Sequence, residues 1–273
     1  MILAELPATK IYAPAGFCIY CGDATDTAES PLYDEHIVAL GLGGALVLPK
    51  ASCAICSEHT RSFERTVLNE LLVMPRAYFS MREPRRAQRS AQAGAATLRW
   101  KPVSPADHPH AFFLPRFARP GIFGSRQFTE KFVMQQPAAE TCIGQRIFDP
   151  DRGAQFMQTF TPDLFCKMLA KIAHGAAVAE LGLNAFEPWL PKLIGGDWPY
   201  LSHYIGATRW KLVTTGTLHQ IWLRLQYGYL IATVRLFARY GFQGYDVVVG
   251  RAVQLPNNIH QRWTYTDTTQ VKQ

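Results

Sequence analysis

The chain has no long apolar run. Its longest clean apolar stretch, Tyr227 to Val234, falls far short of the ~20 residues a membrane span needs. It also lacks a basic leader: the start, MILAELPATK, places Glu5 inside its one apolar patch with no basic residue before it. The sequence therefore reads as a soluble cytoplasmic protein with no membrane partner. There is no internal repeat and no low-complexity tract, which argues against a solenoid. Charged residues make up only 18% against 48% hydrophobic, so a wholly disordered chain is excluded as well. At roughly 150 residues per domain, 273 residues suggest two domains.

Positive charge is scarce at the start. Residues 1–75 hold four Lys/Arg against nine Asp/Glu. Residues 76–101 reverse this, with seven Lys/Arg against one Glu, and the chain as a whole carries +7. A basic balance favours phosphate-rich partners. Arg76, Arg82, Arg85, Arg86 and Arg89 in this arm are candidate contacts to a nucleic-acid backbone, and a solvated linker is the alternative.

Cysteine is sparse, six in all, yet four fall in two pairs: Cys18-Ile-Tyr-Cys21 and Cys53-Ala-Ile-Cys56. Each CxxC lets two thiolates reach one metal from a tight turn, and Gly16 and Gly22 flank the first pair. Two pairs in one short segment fit a tetrahedral structural Zn²⁺ site. Disulfides are the alternative, which the absence of a secretory signal disfavours.

Between the pairs stand Tyr33-Asp34-Glu35-His36-Ile37-Val38 and then Gly41-Leu42-Gly43-Gly44. Glu35 is a hard oxygen ligand suited to Mg²⁺ or Mn²⁺. His36 is a general base in the useful pH range. Neighbours on a strand point to opposite faces, so both serve one site only where the strand ends or bends, and the glycines beyond permit a bend.

The ordered set CxxC, Asp34-Glu35-His36-Ile37, Gly41-x-Gly43-Gly44, Leu48-Pro49-x-Ala51-Ser52-Cys53-x-x-Cys56, then Thr60, Phe63 and Glu64 resembles the zinc-bearing branch of the HNH endonucleases. The resemblance covers about residues 16–66. It implies a zinc-stapled, treble-clef-like ββα-metal module that hydrolyses phosphodiester bonds in nucleic acid, taken as DNA. It implies Glu35 on a catalytic Mg²⁺ or Mn²⁺, His36 as the base that activates water, and the four cysteines on structural zinc. The chain departs from the pattern at Ser57, where the family carries Asn or His as a further metal ligand. Leu48, Pro49 and Lys50 fill the stretch of the family's middle Asn. Ser57, His59 and Glu64 are therefore candidates to complete the metal site. Glu64 lies seven residues from Ser57, on nearly the same face of a helix. The bland alternatives are a solvated helix residue for His59 and a surface acid for Glu64. A zinc-stabilised nucleic-acid-binding module without catalysis is the rival function.

Phe63, Val67 and Leu71, with Leu68 and Leu72 beside them, predict a helix over 54–74 stopped by Pro75. The expected organisation is a zinc-bound module over 1–75, a basic arm over 76–101 and an α+β domain over 102–273. Within that domain Ala111–Leu114 and Gln127–Met134 are candidate strands. Thr161-Pro162 starts a helix running to about Glu180, with Gly182 past its end. Lys167, Lys171 and His174 share one flank, read as a solvated face, with contact to nucleic acid as the alternative. Phe186–Leu193 suggests a further short helix. Residues 217–250 suggest an antiparallel meander turning at Tyr227-Gly228, with Trp222, Arg224 and Arg235 on a half-exposed face, a basic-aromatic surface for stacking on bases being the alternative. A homodimer or protein partner through this domain remains open.

Overall fold

The computed structural model describes residues 9–72, 75–76, 81, 114–115, 117–124, 162–197, 200–210 and 216–253, and the backbone of five two- to four-residue strands between and after them. Arg82, Arg85, Arg86 and Arg89 lie outside the described residues, as does the candidate strand Gln127–Met134. The protein is mixed α+β.

The N-terminal part opens with β1 (Lys10–Ile11), β2 (Tyr33–His36) and β3 (Leu46–Ser52), followed by α1 (Ala54–Glu70). β3 is central, parallel to β1 and antiparallel to β2. The β2–β3 register slips between Tyr33 and Glu35. There Lys50 takes φ +49°, and its N–H donates to the Asp34 carboxylate at 3.2 Å. Such a bulge re-aims the side chains after it, and Glu35 turns inward, buried, while Asp34 stays exposed. The hairpin closes through a 3₁₀ turn at Leu40–Leu42. At Gly44 an added Cβ would lie 1.9 Å from the Val38 carbonyl oxygen, so no side chain fits.

Helix α1 ends at Glu70, four residues before its expected end. It buries Thr60, Phe63 and Val67, the stripe expected from the spacing. Against it packs α2 (Pro162–Leu181). From Phe165 to Val178 every residue of α2 except Lys167 is buried, because α1 covers one side and a sheet the other. Gly182 follows with φ +75°, as expected of a residue past a helix end.

Phe186–Pro188 forms a strand, β4, and only Leu190–Gly195 is helical (α3), which corrects the expectation of one helix over 186–193. The pairing of β4 with a strand of the large sheet outweighs the local helical pattern. α4 (Leu201–Tyr204) and β5 (Ile205–Ala207) follow. The meander is β6 (Gln220–Gln226), β7 (Tyr229–Arg235) and β8 (Tyr245–Ala252). Tyr227 and Gly228, both at positive φ, make the tight turn between the first two. With β9 (Trp263–Thr266) outside β6, and with β4 and β5 both on β8, they form an antiparallel six-stranded sheet.

One hydrophobic cluster runs through all of this. It joins Ile37, Leu42 and Leu46 to Met168 and Ile172 of α2 and to Leu230 and Val247 of the sheet. No described helix is long and apolar enough to cross a membrane.

Candidate active site

The four paired cysteines come together first. Cys18 to Gly22 is a tight turn, with the Gly22 N–H donating to the Cys18 carbonyl at 2.8 Å and Gly22 at φ +82°. Cys53 is the N-cap of α1 and Cys56 sits in its first turn. Burial opposes ionisation of these thiols and raises Cys21 and Cys56, while at Cys53 it is outweighed by hydrogen bonds, the Cys56 N–H first among them, that lower the thiol. The four sulfurs lie within 4.8 Å of one another, and Cys21 and Cys53 Sγ are 3.7 Å apart. A Zn–S bond of about 2.3 Å puts tetrahedral sulfurs about 3.8 Å apart, so the cluster is sized for zinc.

Behind the cluster, β2 ends on Glu35 and His36. Glu35 is buried and meets a partner from the far half of the chain: Lys171 Nζ of α2 lies 2.6 Å from Glu35 Oε1. The same ammonium lies 2.8 Å from Glu64 Oε1 on α1 and donates to the main-chain carbonyl of His36. Three oxygens thus surround one ammonium, with Glu64 Oε1 at ion-pair distance and without a hydrogen bond of its own. The Lys171 side chain is 1% exposed. Burial alone would lower its pKa, but the two carboxylates reverse that and hold it above the ordinary lysine range, so it is a cation. Burial raises the Glu64 carboxyl, with the Glu35 charge adding to it and Lys171 opposing. The Tyr20 hydroxyl beside them is held well above its usual pKa, by burial and then by the two carboxylates.

His36 is partly buried. Its Nδ1 is shut from solvent with no hydrogen-bond partner among the described residues. Burial and then the Lys171 charge lower its pKa below 6.5, so the ring is neutral at neutral pH.

Of the residues suggested as metal ligands, Glu35 and Glu64 meet across Lys171. Ser57 Oγ accepts from Arg61 Nη2 at 3.4 Å. His59 Nε2 donates to the Ile194 carbonyl at 2.9 Å, fastening α1 to α3. A catalytic Mg²⁺ or Mn²⁺ does not fit this set: both carboxylates already face a buried cation, and Ser57 and His59 are turned to other partners. Among the described residues the four cysteines are the one cluster of His, Cys, Asp or Glu able to hold a metal.

Arg76 corrects an expectation too. It is 5% exposed and gives its guanidinium to the carbonyls of Gly41 and Leu68 at 3.0 and 3.1 Å, so it braces the hairpin rather than facing a phosphate. Arg224 pairs with Asp246 at 2.8 Å, and Arg235 is buried and donates to the Phe242 carbonyl.

Lys171 and His174 are likewise not solvated. His174 Nε2 donates to the Ile19 carbonyl at 2.7 Å and His219 Nε2 to that of Leu42 at 2.8 Å. Three buried donors from the C-terminal half therefore hold three carbonyls of the four-cysteine module. A signal for this existed in the sequence. Ile172, Ala173 and Gly175 to Val178 leave α2 apolar on nearly every side, and a polar group in such a helix is buried and must have a partner.

Compared with family models, curated proteins and solved structures, the chain matches none.

Proposed function

We propose that the zinc-stapled module acts on nucleic acid as a phosphodiester hydrolase of the HNH kind, with His36 as its general base. The observation that carries this reading is the state of His36. It stands at the end of β2, neutral at neutral pH, with a ring nitrogen that no described residue occupies. Nδ1 is shut from solvent, so the base is the ring's other nitrogen, Nε2, which can take the proton from a water attacking phosphorus as the bond from phosphorus to the leaving oxygen breaks. Lys171 acts as a positioning residue: it grips the His36 carbonyl and balances the Glu35 charge beside the ring. The four cysteines hold zinc and take no part in proton transfer. In the HNH family a divalent ion supplies charge stabilisation at the phosphate; here Glu35 and Glu64 face an ammonium instead. The net charge of +7 supports a polyanionic substrate, taken as DNA.

A second reading, a nucleic-acid-binding module without hydrolysis, is favoured by that same ammonium on the two carboxylates. Supercoiled plasmid incubated with the zinc-loaded protein and with His36→Ala separates the two. Reactions with Mg²⁺, with Mn²⁺ and with EDTA read whether an added divalent ion is needed. Nicking by the wild type that the variant loses supports the hydrolase. Salt-sensitive retardation of the plasmid without nicking transfers the conclusion to the binding module. Neither nicking nor retardation overturns both.

A further inference from the structure

We propose that Lys171 is the resident cation of the Glu35–Glu64 pair, a side-chain ammonium that keeps divalent metal ions out of the position between the two carboxylates. The proposal holds whether or not the module hydrolyses phosphodiesters.

The geometry is that of a cation site with its cation supplied by the chain. Glu35 Oε1 and Glu64 Oε1 stand 2.6 and 2.8 Å from Nζ, and the His36 carbonyl oxygen completes the set. These are hard oxygen donors, the kind Mg²⁺ and Mn²⁺ take. They come from two elements, Glu35 and His36 side by side on β2 and Glu64 on α1, and meet at the ammonium that α2 brings there. No other cation is among the ion-pair partners of either carboxylate in the described structure.

Two physical effects make the exclusion strong. First, the lysine is tethered. Its effective concentration at the site is set by the fold, while a free ion must compete from solution and shed its water. Second, the ammonium cannot step aside. Its side chain is 1% exposed, and its helical neighbours Ala170 and Ile172 are fully buried. A divalent ion beside a buried ammonium would face like charge at low dielectric. Entry of the metal therefore requires loss of the lysine charge or withdrawal of α2.

Removing the ammonium should turn the pair into a metal site. Zinc-loaded protein is titrated with Mn²⁺, and free Mn²⁺ is read from its electron paramagnetic resonance signal. The wild type is expected to bind no Mn²⁺ in a manner sensitive to Glu35→Gln. Lys171→Ala is expected to bind one Mn²⁺ at least roughly tenfold more tightly than the wild type. Adding Glu35→Gln to that variant should abolish the gain, and Mn²⁺ should raise the thermal midpoint of Lys171→Ala but not of the wild type. Lys171→Gln retains a long polar chain without charge, and serves where Lys171→Ala fails to fold. Glu35-dependent Mn²⁺ binding by the wild type overturns the proposal. So does an affinity in the folded lysine variants no better than the wild type's. Because the readout is ion binding, failure of the hydrolase reading leaves this result unaffected.

Discussion

Lys171 Nζ lies 2.6 Å from Glu35 Oε1, both groups buried, one on the central helix and one on strand β2 of the four-cysteine module. Buried pairs of this kind contribute little against an apolar replacement but are costly to break one-sidedly. Lys171→Met strands two carboxylates together and is expected to cost about 3–5 kcal/mol. The triple variant Lys171→Met, Glu35→Gln, Glu64→Gln removes all three charges and should recover most of that loss. Urea denaturation of zinc-loaded protein measures both; a triple variant no more stable than the single one would show that charge is not the cause.

His36→Ala removes a ring whose Nδ1 bonds no described residue. Folding stability should change by less than about 1 kcal/mol, and zinc content should not change. Plasmid nicking should disappear. In the wild type the rate should rise with pH through a pKa below 6.5 and level off at neutral pH, since the base must be neutral and its environment lowers its pKa. A rate that instead falls as pH rises from acid to neutral would contradict His36 as the base.

His174 and His219 give the fold an acid limit. Burial lowers both to about 4, with the hydrogen bonds to Ile19 and Leu42 opposing only in part. Between about pH 6.5 and 4 the unfolded chain takes up protons that these buried rings refuse, so stability falls as pH falls through that window. The loss is on the order of 3 kcal/mol per histidine by its lower end. Urea midpoints at neutral pH and pH 5 should converge in His174→Gln relative to the wild type. The comparison isolates the histidine from zinc release, which both proteins share.

The cysteine cluster should bind one zinc per chain by elemental analysis, and Cys18→Ser or Cys53→Ser should lose it. Structural zinc contributes on the order of 10 kcal/mol to small modules. Chelation should therefore expose the β2–β3 hairpin to proteolysis while α2, held also by the large sheet, stays protected. Full zinc retention in both serine variants would place the metal elsewhere.

Arg76→Ala should weaken the fold by about 2 kcal/mol, because the Gly41 and Leu68 carbonyls lose a charged donor. It should leave the salt dependence of plasmid binding unchanged, since a 5% exposed guanidinium contacts no phosphate.

Much of this was legible in the sequence because it is local. The CxxC spacing implied the four-sulfur cluster, since two turns of fixed size can present thiols in few ways. The four-residue spacing of Phe63 and Val67 marked the buried face of α1. Tyr227-Gly228 marked the meander's turn, since a glycine between two strand patterns supplies the positive φ that tight hairpins use. Seven-residue spacing singled out Glu64. What escaped depended on contacts between distant segments. Phe186–Pro188 became a strand because β8 offered its edge, and Arg76 was drawn inward by the Gly41 carbonyl of the hairpin and the Leu68 carbonyl of α1. Lys171, read as a solvated cation, became the buried partner of Glu35 and Glu64. A helix's periodicity tells which residues share a face, but only packing tells whether that face meets water or another helix. Local chemistry in the sequence determined the four-cysteine cluster and the residues around it; the tertiary structure alone decided which cation those carboxylates would meet.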